Sequence, residues 1–315
     1  MSLRVAVQMD PIDRIRITGD STFALLLEGQ ARGHKISYYT PEQLAMIDGR
    51  LFATVRPLKV RDQEDAHFTL GEGKRVELSS FEVVLMRQDP PFDMAYITAT
   101  HLLERLQPKT LVVNDPASVR NAPEKVWVLD YARFMPPTVV TRSLSVARQF
   151  LAEHKEIVVK PLHGNGGKAV FKVGSDGQNL ASLIEVFNTA YREPHVIQAF
   201  LPGVAEGDKR IVLVDGEVAG AVNRIPGEGE IRSNLAVGGK AAKTGLTARE
   251  EEICAALGPE LKKRGLLFVG IDVIGGEWLT EINVTSPTGI VAIDKFNGTD
   301  TPAKIWDAIE AKIGH

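Results

Sequence analysis

The chain has 315 residues, of which 44% are hydrophobic and 24% charged, and its formal net charge is −3. This length allows two or three compact lobes, the composition excludes a wholly disordered chain, and the small net charge excludes a general attraction to nucleic acid or to an anionic membrane. The single cysteine, Cys254, excludes an internal disulfide framework and fits a reducing compartment, so we expect a cytoplasmic protein without nucleic-acid or membrane partners.

The first third of the chain is predicted to form an open α/β sheet. The buried strand LRVAVQ precedes a helix that begins at Ser21 and ends at Gly33, and the strand HKISYYT follows it. This β-α-β order is typical of such sheets. The polar residues 56–80 are predicted to be irregular, before the strand FEVVLMR, the helix AYITATHLLERL and the strand TLVVND. We assign residues 1–122 to this N-terminal domain.

A central lobe is predicted over residues 123–201. Residues 121–142 contain several prolines and are predicted to be a connector. They are followed by the helix SLSVARQFLAEHK, the strand EIVVK, the loop PLHGNGGK, the strand AVFKV, a helix at about 178–193 and the strand HVIQAFL.

A C-terminal lobe is predicted over residues 202–315. It contains the strands KRIVLVDG and EVAGAVNRI and a Gly-rich polar segment at 226–245. A capping box of Thr247 and Glu250 begins the next helix, and Gly265 ends it. The hairpin FVGIDVIGGEWLTEINV, the loop TSPTG and a terminal helix complete the chain. The predicted fold class is therefore α/β.

Three oxygen-bearing side chains of the hairpin are candidate metal ligands. Glu281 and Asn283 lie two residues apart on one strand and so share a face. Asp272 of the other strand adds a second carboxylate. This set suits Mg²⁺ carried by nucleotide phosphates rather than zinc. The alternative is a solvated polar face, but the apolar runs on both strands favour the metal site.

The register of the hairpin decides whether the three side chains meet. A two-residue turn at Gly275-Gly276 places Asp272 opposite Leu279 and diagonal to Glu281, within reach of one shared ion. A three-residue turn would send Asp272 to the opposite face and exclude the shared metal site. We expect the two-residue turn.

The loop PLHGNGGK is a candidate phosphate-binding loop. Gly164, Gly166 and Gly167 let backbone amides approach an anion, and Lys160 and Lys168 flank them. The spacing is neither that of a P-loop nor that of a dinucleotide-binding fingerprint. The alternative is an ordinary turn, but a lysine that ends a buried strand favours a functional loop.

Two further stretches carry candidate ligand-binding residues. In GDKRIVLVDG, Arg210 is placed to bind a phosphate or carboxylate and Asp208 a ribose hydroxyl, although a surface ion pair is an equal alternative. The segment 226–245, which contains Arg232, is too polar and Gly-rich to pack a core. It is either a disordered loop or a lid over a charged ligand, and the polyanion site favours the lid.

These features occur together in the order that ATP-grasp enzymes use, and within that superfamily the chain resembles the bacterial glutathione synthetases. His163 departs from the pattern, because relatives usually carry Asp before the glycines. The segments that carry the resemblance are MDPI (9–12), MRQDPPFDMAYI (86–97), NDPASVRNAPEKVW (114–127), KPLHGNGG (160–167), GDKRIVLVDGE (207–217), EIRSNLAVGGKA (230–241) and GIDVIGGEWLTEINVTSPTGI (270–290).

The resemblance implies an N-terminal domain followed by a two-lobed ATP-grasp module, with ATP between the central and C-terminal lobes. It implies Mg²⁺ at Asp272, Glu281 and Asn283, with Mn²⁺ as a possible substitute, a lid at 226–241 and a homotetramer. The implied ATP-binding residues are Lys125, Lys160, Gly164, Gly166, Gly167, Gln198, Phe200, Leu201 and Asp208. The implied substrate-binding residues are Asp10, Ile12, Arg87, Arg210, Arg232, Ser286 and Thr288, and the implied catalytic residues are Arg210, Arg232 and Asn283.

The activity implied by the resemblance is ATP-dependent ligation of γ-glutamylcysteine and glycine through an acyl phosphate, giving glutathione, ADP and phosphate. A first alternative is a ligase for other acids and amines, such as a D-alanine–D-alanine or glutamate-adding type, against which the sequences EIRSNLAVGG and NVTSPTGI argue. A second is a nucleotide-binding regulatory protein without turnover.

Overall fold

A computed structural model describes residues 2–230, 232–233 and 238–314. The predicted lid at 226–245 is therefore described only in part, because residues 231 and 234–237 lie outside these ranges. Three sheets and eight α-helices make up the described chain. Among the described residues, no helix is both long and apolar enough to cross a bilayer.

The N-terminal sheet has the strand order β3-β4-β2-β1-β7-β8, with β5 and β6 paired to β4. Strand β1 is parallel to β2 and β7, and β7 is parallel to β8, as the β-α-β beginning predicts. Its elements are β1 (Arg4–Gln8), α1 (Ser21–Ala31), β2 (Lys35–Tyr39), β3 (Leu44–Ile47), β4 (Arg50–Val60), β5 (Phe68–Leu70), β6 (Lys74–Glu77), β7 (Val83–Met86), α2 (Met94–Glu104) and β8 (Leu111–Val113).

The prediction of irregular structure over 56–80 is wrong. Strand β4 continues to Val60, and β5 and β6 pair with it in antiparallel fashion. The side chains of β4 alternate between buried and exposed, and its exposed positions include Arg56 and Lys59. These charges make a half-buried strand look like a polar loop when composition is read instead of alternation.

The central sheet is antiparallel throughout, with the order β11-β10-β12-β9. The predicted connector 121–142 is partly ordered, because it contains a 3₁₀ helix (Trp127–Phe134) and strand β9. The elements of this region are α3 (Pro116–Arg120), β9 (Thr138–Thr141), α4 (Leu144–His154), β10 (Ile157–Pro161), β11 (Phe171–Val173), α5 (Leu180–Ala190) and β12 (His195–Ala199).

The C-terminal sheet is also antiparallel, with the order β15-β14-β13-β16-β17, so β17 is an edge strand. The capping box of Thr247 and Glu250 is confirmed. The chain ends in two helices rather than one, because Gly298 is in the left-handed conformation and Asp300 caps a new helix. The elements are β13 (Asp208–Val214), β14 (Glu217–Ile225), β15 (Lys240–Ala242), α6 (Ala248–Lys263), β16 (Phe268–Ile274), β17 (Trp278–Asn283), α7 (Ile290–Asn297) and α8 (Thr301–Ile313).

The buried apolar side chains of the described residues form three clusters, which do not correspond one to one with the three sheets. Those of the central sheet and its two helices form a separate cluster. Two other clusters combine residues of the N-terminal and C-terminal regions. At one junction the indole of Trp306 donates to the Leu25 carbonyl at 2.9 Å and packs over Gly29, where a Cβ would lie 2.6 Å from the ring. The N-terminal and C-terminal regions therefore share their cores, and the central sheet has its own.

Candidate active site

The hairpin of β16 and β17 does bring the two carboxylates together, although by a different register from the predicted one. Ile274 pairs with Trp278, so the turn contains three residues rather than two. A β-bulge at Thr280 then adds one more residue to β17, and Asp272 lies directly opposite Glu281. Each extra residue reverses the face on which the following side chains lie, so the two changes cancel.

Asp272 is buried and surrounded by cationic donors. Arg210 donates from Nε to Oδ1 at 2.5 Å and from Nη2 to Oδ2 at 3.0 Å, and Arg224 Nη2 lies 3.0 Å from Oδ1. The amide of Asn283 is 3.4 Å from Oδ2. Burial acts to raise the pKa of Asp272, but the two guanidinium groups hold that pKa well below its usual range. Asp272 is therefore ionised.

Glu281 joins the C-terminal sheet to two lysines of the preceding central region. Lys125, just before the 3₁₀ helix, lies 3.5 Å from Glu281 Oε1, and Lys160 at the end of β10 lies 3.4 Å from the same atom. Burial acts to raise the pKa of Glu281, and the two lysines outweigh it and lower that pKa. The pKa of Lys160 is itself lowered, because burial and repulsion from Lys125 outweigh the attraction of Glu281. Two cations thus share one carboxylate oxygen at the floor of the site.

Asp208 forms a second buried ion pair beside the first. It is opposite Arg224 in the register of β13 and β14, and Arg224 Nη2 donates to its Oδ2 at 2.7 Å. The Ser233 hydroxyl donates to the same oxygen at 2.9 Å. Burial raises the pKa of Asp208 in spite of Arg224. The other carboxylate oxygen, Oδ1, is buried with no hydrogen-bond partner among the described residues, so it can accept a bond from a ligand.

A cavity of about 110 Å³ lies between the central and C-terminal sheets. The Gly-rich loop closes over it, with the Gly164 carbonyl accepting from Lys125 Nζ at 2.5 Å. A Cβ on Gly164 would lie 2.5 Å from the Pro161 ring, and Gly166 and Gly167 have φ values of +63° and +73°. The residues that line the cavity include Lys125, Lys160, Gly164, Gly166, Gly167, Lys168, Asp208, Arg232, Asp272 and Glu281.

Of the three residues implied for adenine, Gln198 lies on strand β12, and Phe200 and Leu201 directly follow that strand; none of the three lines the cavity. Gln198 pairs with Val158 of β10, whose side chain does line the cavity, and its amide donates to Thr138 at 3.0 Å. Phe200 follows at the end of β12, with Lys172 Nζ 3.7 Å from its ring centre. Leu201 comes next and is half-buried.

Several of the residues implied for substrate binding are connected by a path of hydrogen bonds that begins at Arg87 and ends at Arg210. Arg87 is buried and donates to Thr22 at 3.0 Å and to the Pro287 carbonyl at 2.9 Å. The Ser286 hydroxyl is 3.3 Å from the Arg87 carbonyl. Thr288 then offers its carbonyl to Arg210 Nη1 at 3.2 Å. The loop 285–289 therefore connects Arg87 to the arginine that binds Asp272.

The other predicted residues are placed less centrally. Asp10 accepts from the Asp89 amide at 2.7 Å beside Arg87. Ile12 is buried in the core, and its carbonyl is 2.8 Å from a ring nitrogen of His67. Arg232 lines the cavity and pairs with Glu230 at 2.5 Å.

His163, the departure from the family pattern, packs against Phe92 with ring centres 5.6 Å apart. Burial lowers its pKa. Its imidazole therefore fills the start of the Gly-rich loop as an uncharged group.

Two residues of the site were missed in the sequence. Arg224 is a buried arginine near the end of the largely apolar strand EVAGAVNRI, and a charge after this apolar run is the signal that the sequence offers. Glu124 accepts from the Thr285 hydroxyl at 2.9 Å, and burial raises the pKa of its carboxyl. Its position next to Lys125 gave no signal of its own, because adjacent opposite charges are common on solvated surfaces.

Comparison with known proteins assigns both parts of the chain to one family. The model of the prokaryotic glutathione synthetase N-terminal domain matches residues 3–120, and the ATP-grasp domain model of the same family matches residues 124–298. Glutathione synthetase of Rhodopseudomonas palustris (strain ATCC BAA-98 / CGA009) is 64% identical over 312 residues, which cover 99% of each chain. That of Bradyrhizobium diazoefficiens (strain JCM 10833 / BCRC 13528 / IAM 13628 / NBRC 14792 / USDA 110) is 61% identical with the same coverage.

Solved structures support the fold. The D-cycloserine synthetase DcsG aligns with a TM-score of 0.69 at 19% identity, covering 98% of this chain and 99% of that one. The ATP-grasp ligase PsnB, in complex with a phosphomimetic variant of a minimal precursor, Mg and ADP, gives a TM-score of 0.61 at 18% identity and covers 99% of both chains. With both domain models matched and relatives of this identity along the whole chain, the protein belongs to the prokaryotic glutathione synthetase family and has the ATP-grasp fold.

Proposed function

We propose that the protein joins γ-glutamylcysteine to glycine at the expense of ATP, forming glutathione, ADP and phosphate. The observation that carries this proposal is the convergence of Lys125, Lys160 and Arg210 on the carboxylates of Glu281 and Asp272 beneath a Gly-rich loop. Such an arrangement suits a phosphorylated ligand and a cation, and the full-length relatives are glutathione synthetases.

The nucleotide would bind between the central and C-terminal sheets. Lys125, Lys160 and the loop glycines would contact phosphates, and the unpartnered oxygen of Asp208 would accept from a ribose hydroxyl. Gln198 and the backbone of Phe200 and Leu201 would receive adenine. The cavity of about 110 Å³ is smaller than the ~300–1,000 Å³ of ligand pockets, so we expect ATP binding to displace the Gly-rich loop outward.

Asp272, Glu281 and Asn283 would hold Mg²⁺, with Mn²⁺ as a working substitute. Two carboxylates and an amide oxygen are ligands that hard cations prefer, and Asp272 and Glu281 are ionised opposite each other. The ion, when bound, neutralises charge on the transferring phosphoryl group. Lys125, Lys160, Arg210 and Arg224 balance the charge of the two carboxylates.

Activation is needed because a carboxylate does not react with an amine at neutral pH. The cysteinyl carboxylate of γ-glutamylcysteine attacks the γ-phosphorus, and the bond to the bridging oxygen of ADP breaks. The uncharged amine of glycine then adds to the acyl phosphate carbon, loses a proton and expels phosphate. Arg210 and Arg232 would stabilise the oxyanion, and Ser286, Thr288 and Arg87, with Asp10 and the backbone at Ile12, would orient the acyl substrate and glycine.

We infer the lobes, the lid, the oligomeric state and the location from the fold and the family. The three separate sheets support lobes over 1–122, 123–201 and 202–315. The part of 226–241 that is described lies over the cavity through Arg232 and Ser233, which supports its role as a lid that excludes water. A homotetramer and a cytoplasmic location are expected from the family.

The test is ADP release by the purified protein with ATP and Mg²⁺, with γ-glutamylcysteine and glycine added together or singly and the products identified by mass spectrometry. We expect release that requires both substrates and yields glutathione. Release only with other acid–amine pairs would overturn the substrate assignment. Binding of ATP without consumption would favour a regulatory protein.

A further inference from the structure

Strand β17 is an edge strand, so one row of its backbone groups has no neighbouring strand. Its last residues carry Asn283 and lead directly into the loop 285–289. The unpaired N–H and C=O groups of an edge strand need partners from other parts of the chain or from water. The position of Asn283 therefore depends on what covers this edge.

Glu124 covers the edge at two points on either side of Asn283. Its carbonyl accepts from the Ile282 amide at 3.2 Å, and its carboxylate accepts from the Thr285 hydroxyl at 2.9 Å. Thr285 is 3% exposed. One residue from the segment after α3 thus fixes both flanks of the strand end.

Asn114 connects the residue after β17 to the first residue of β16. Its side-chain amide donates to the Val284 carbonyl at 2.8 Å and to the Phe268 carbonyl at 2.7 Å. Its oxygen accepts from the Phe268 amide at 2.8 Å. Asn114 is 3% exposed, so these bonds are shielded from water. It ties the end of β17 to the start of β16, which is the strand that carries Asp272.

We propose that Glu124, next to the contacts that Asn114 makes, is a positioning residue that holds Asn283 and the loop 285–289 in place for catalysis, and that Glu124 acts by accepting hydrogen bonds rather than by its charge. This inference rests on the proposed function, because the segment that Glu124 holds carries a candidate metal ligand and the candidate substrate loop. Neither side chain lines the cavity.

The experiment compares Glu124→Ala, Glu124→Gln, Thr285→Val and the double variant Glu124→Ala/Thr285→Val. A matched control is Thr110→Val, because Thr110 is equally buried and its hydroxyl donates to the Phe81 carbonyl at 2.8 Å, away from the site. Turnover, the KM of each substrate and hydrogen exchange of the peptide covering 282–289 are measured for each protein.

We expect Glu124→Ala to lower kcat by roughly 10²-fold, the cost of a misplacement near 1 Å, with less than about a twofold change in the KM for ATP. Thr285→Val should also lower kcat. The double variant should be no worse than the poorer single variant, because the two substitutions remove the same hydrogen bond between Thr285 and Glu124. Glu124→Gln retains an acceptor and should restore most of the activity. Exchange over 282–289 should rise in Glu124→Ala but not in Thr110→Val.

Equal losses in Glu124→Gln and Glu124→Ala would overturn the proposal, because the charge would then be what matters. So would unchanged exchange over 282–289 in Glu124→Ala. If the unaltered protein forms no glutathione, the proposed function falls, while the exchange measurement still decides whether Glu124 holds the strand end.

Discussion

Arg210 joins the two halves of the candidate site through three of its donor nitrogens. Two bind the carboxylate of Asp272, and the third donates to the Thr288 carbonyl in the loop 285–289. A guanidinium can satisfy both partners at once because its donors are fixed in a planar fork. A lysine at this position lacks the fork and would lose either the contact with Asp272 or the one with Thr288.

Replacing Arg210 with alanine should therefore reduce turnover much more than ATP affinity. We expect kcat to fall by roughly 10²–10³, the effect of one well-placed oxyanion donor. Steady-state kinetics and ATP-binding calorimetry measure the two effects. Arg4→Ala is a control, since Arg4 forms an exposed ion pair with Glu82 far from the site. Equal losses in turnover and ATP affinity would contradict the role of Arg210.

The thiol of Cys254 is expected to be unreactive toward thiol reagents in the folded protein. It is 4% exposed on α6, and burial raises the pKa of its thiol to about 12. Because the thiolate is the reactive form, the folded protein should not react with Ellman's reagent at pH 8, whereas the denatured protein should release one equivalent. A stoichiometric reaction in the native state, faster than unfolding, would show that the thiol is accessible.

At the scale of elements, the Gly-rich loop between β10 and β11 depends on the absence of a side chain at Gly164. A Cβ there would lie 2.5 Å from the Pro161 ring, so Gly164→Ala has to displace the loop. We expect the KM for ATP to rise by roughly tenfold, or about 1.4 kcal/mol. Gly174→Ala, where the nearest atom would be 3.5 Å away, is the matched control. Equal KM values in the two variants would contradict a phosphate-binding role for the loop.

The elements near the site show which of its features can be predicted from the sequence and which cannot. The identities of Asp272, Glu281 and Asn283 were evident, because oxygen-bearing side chains in apolar strands are unusual. The register of β16 and β17 was not evident, because the three-residue turn and the bulge at Thr280 are set by tertiary packing and leave no local sequence pattern. The ion pair of Asp208 with Arg224 is hidden for the same reason. Asp215-Gly216 indicates that the two strands form a hairpin, but a β-bulge at Ala219, without which Asn223 would face Asp208, places Arg224 opposite it.

At the scale of the whole molecule, the N-terminal and C-terminal regions are held together by shared cores and by contacts around His34. Its Nδ1 accepts from the Leu3 amide at 3.3 Å, and its Nε2 lies 3.0 Å from Glu310 of α8. Protonating Nδ1 would break the first contact. Burial lowers the pKa of His34, with a further lowering from Arg32, and Glu310 only partly opposes it.

The stability of the molecule should therefore depend on pH through His34. Below its ordinary pKa of about 6.5, the unfolded chain binds a proton that the folded chain does not, so the free energy of unfolding falls as the pH is lowered. Denaturant unfolding between pH 5 and pH 8 should show a smaller fall in His34→Gln. A constant difference between the two proteins over this range would contradict a neutral His34.

Activation of the γ-glutamylcysteine carboxylate by phosphoryl transfer can be followed by the transfer of a labelled oxygen. The substrate is prepared with ¹⁸O in its cysteinyl carboxylate and converted with ATP and glycine. Attack of that carboxylate on the γ-phosphorus predicts one ¹⁸O in the phosphate released for each glutathione formed. Glutathione formation with unlabelled phosphate would contradict the acyl phosphate and the account of the site built on it.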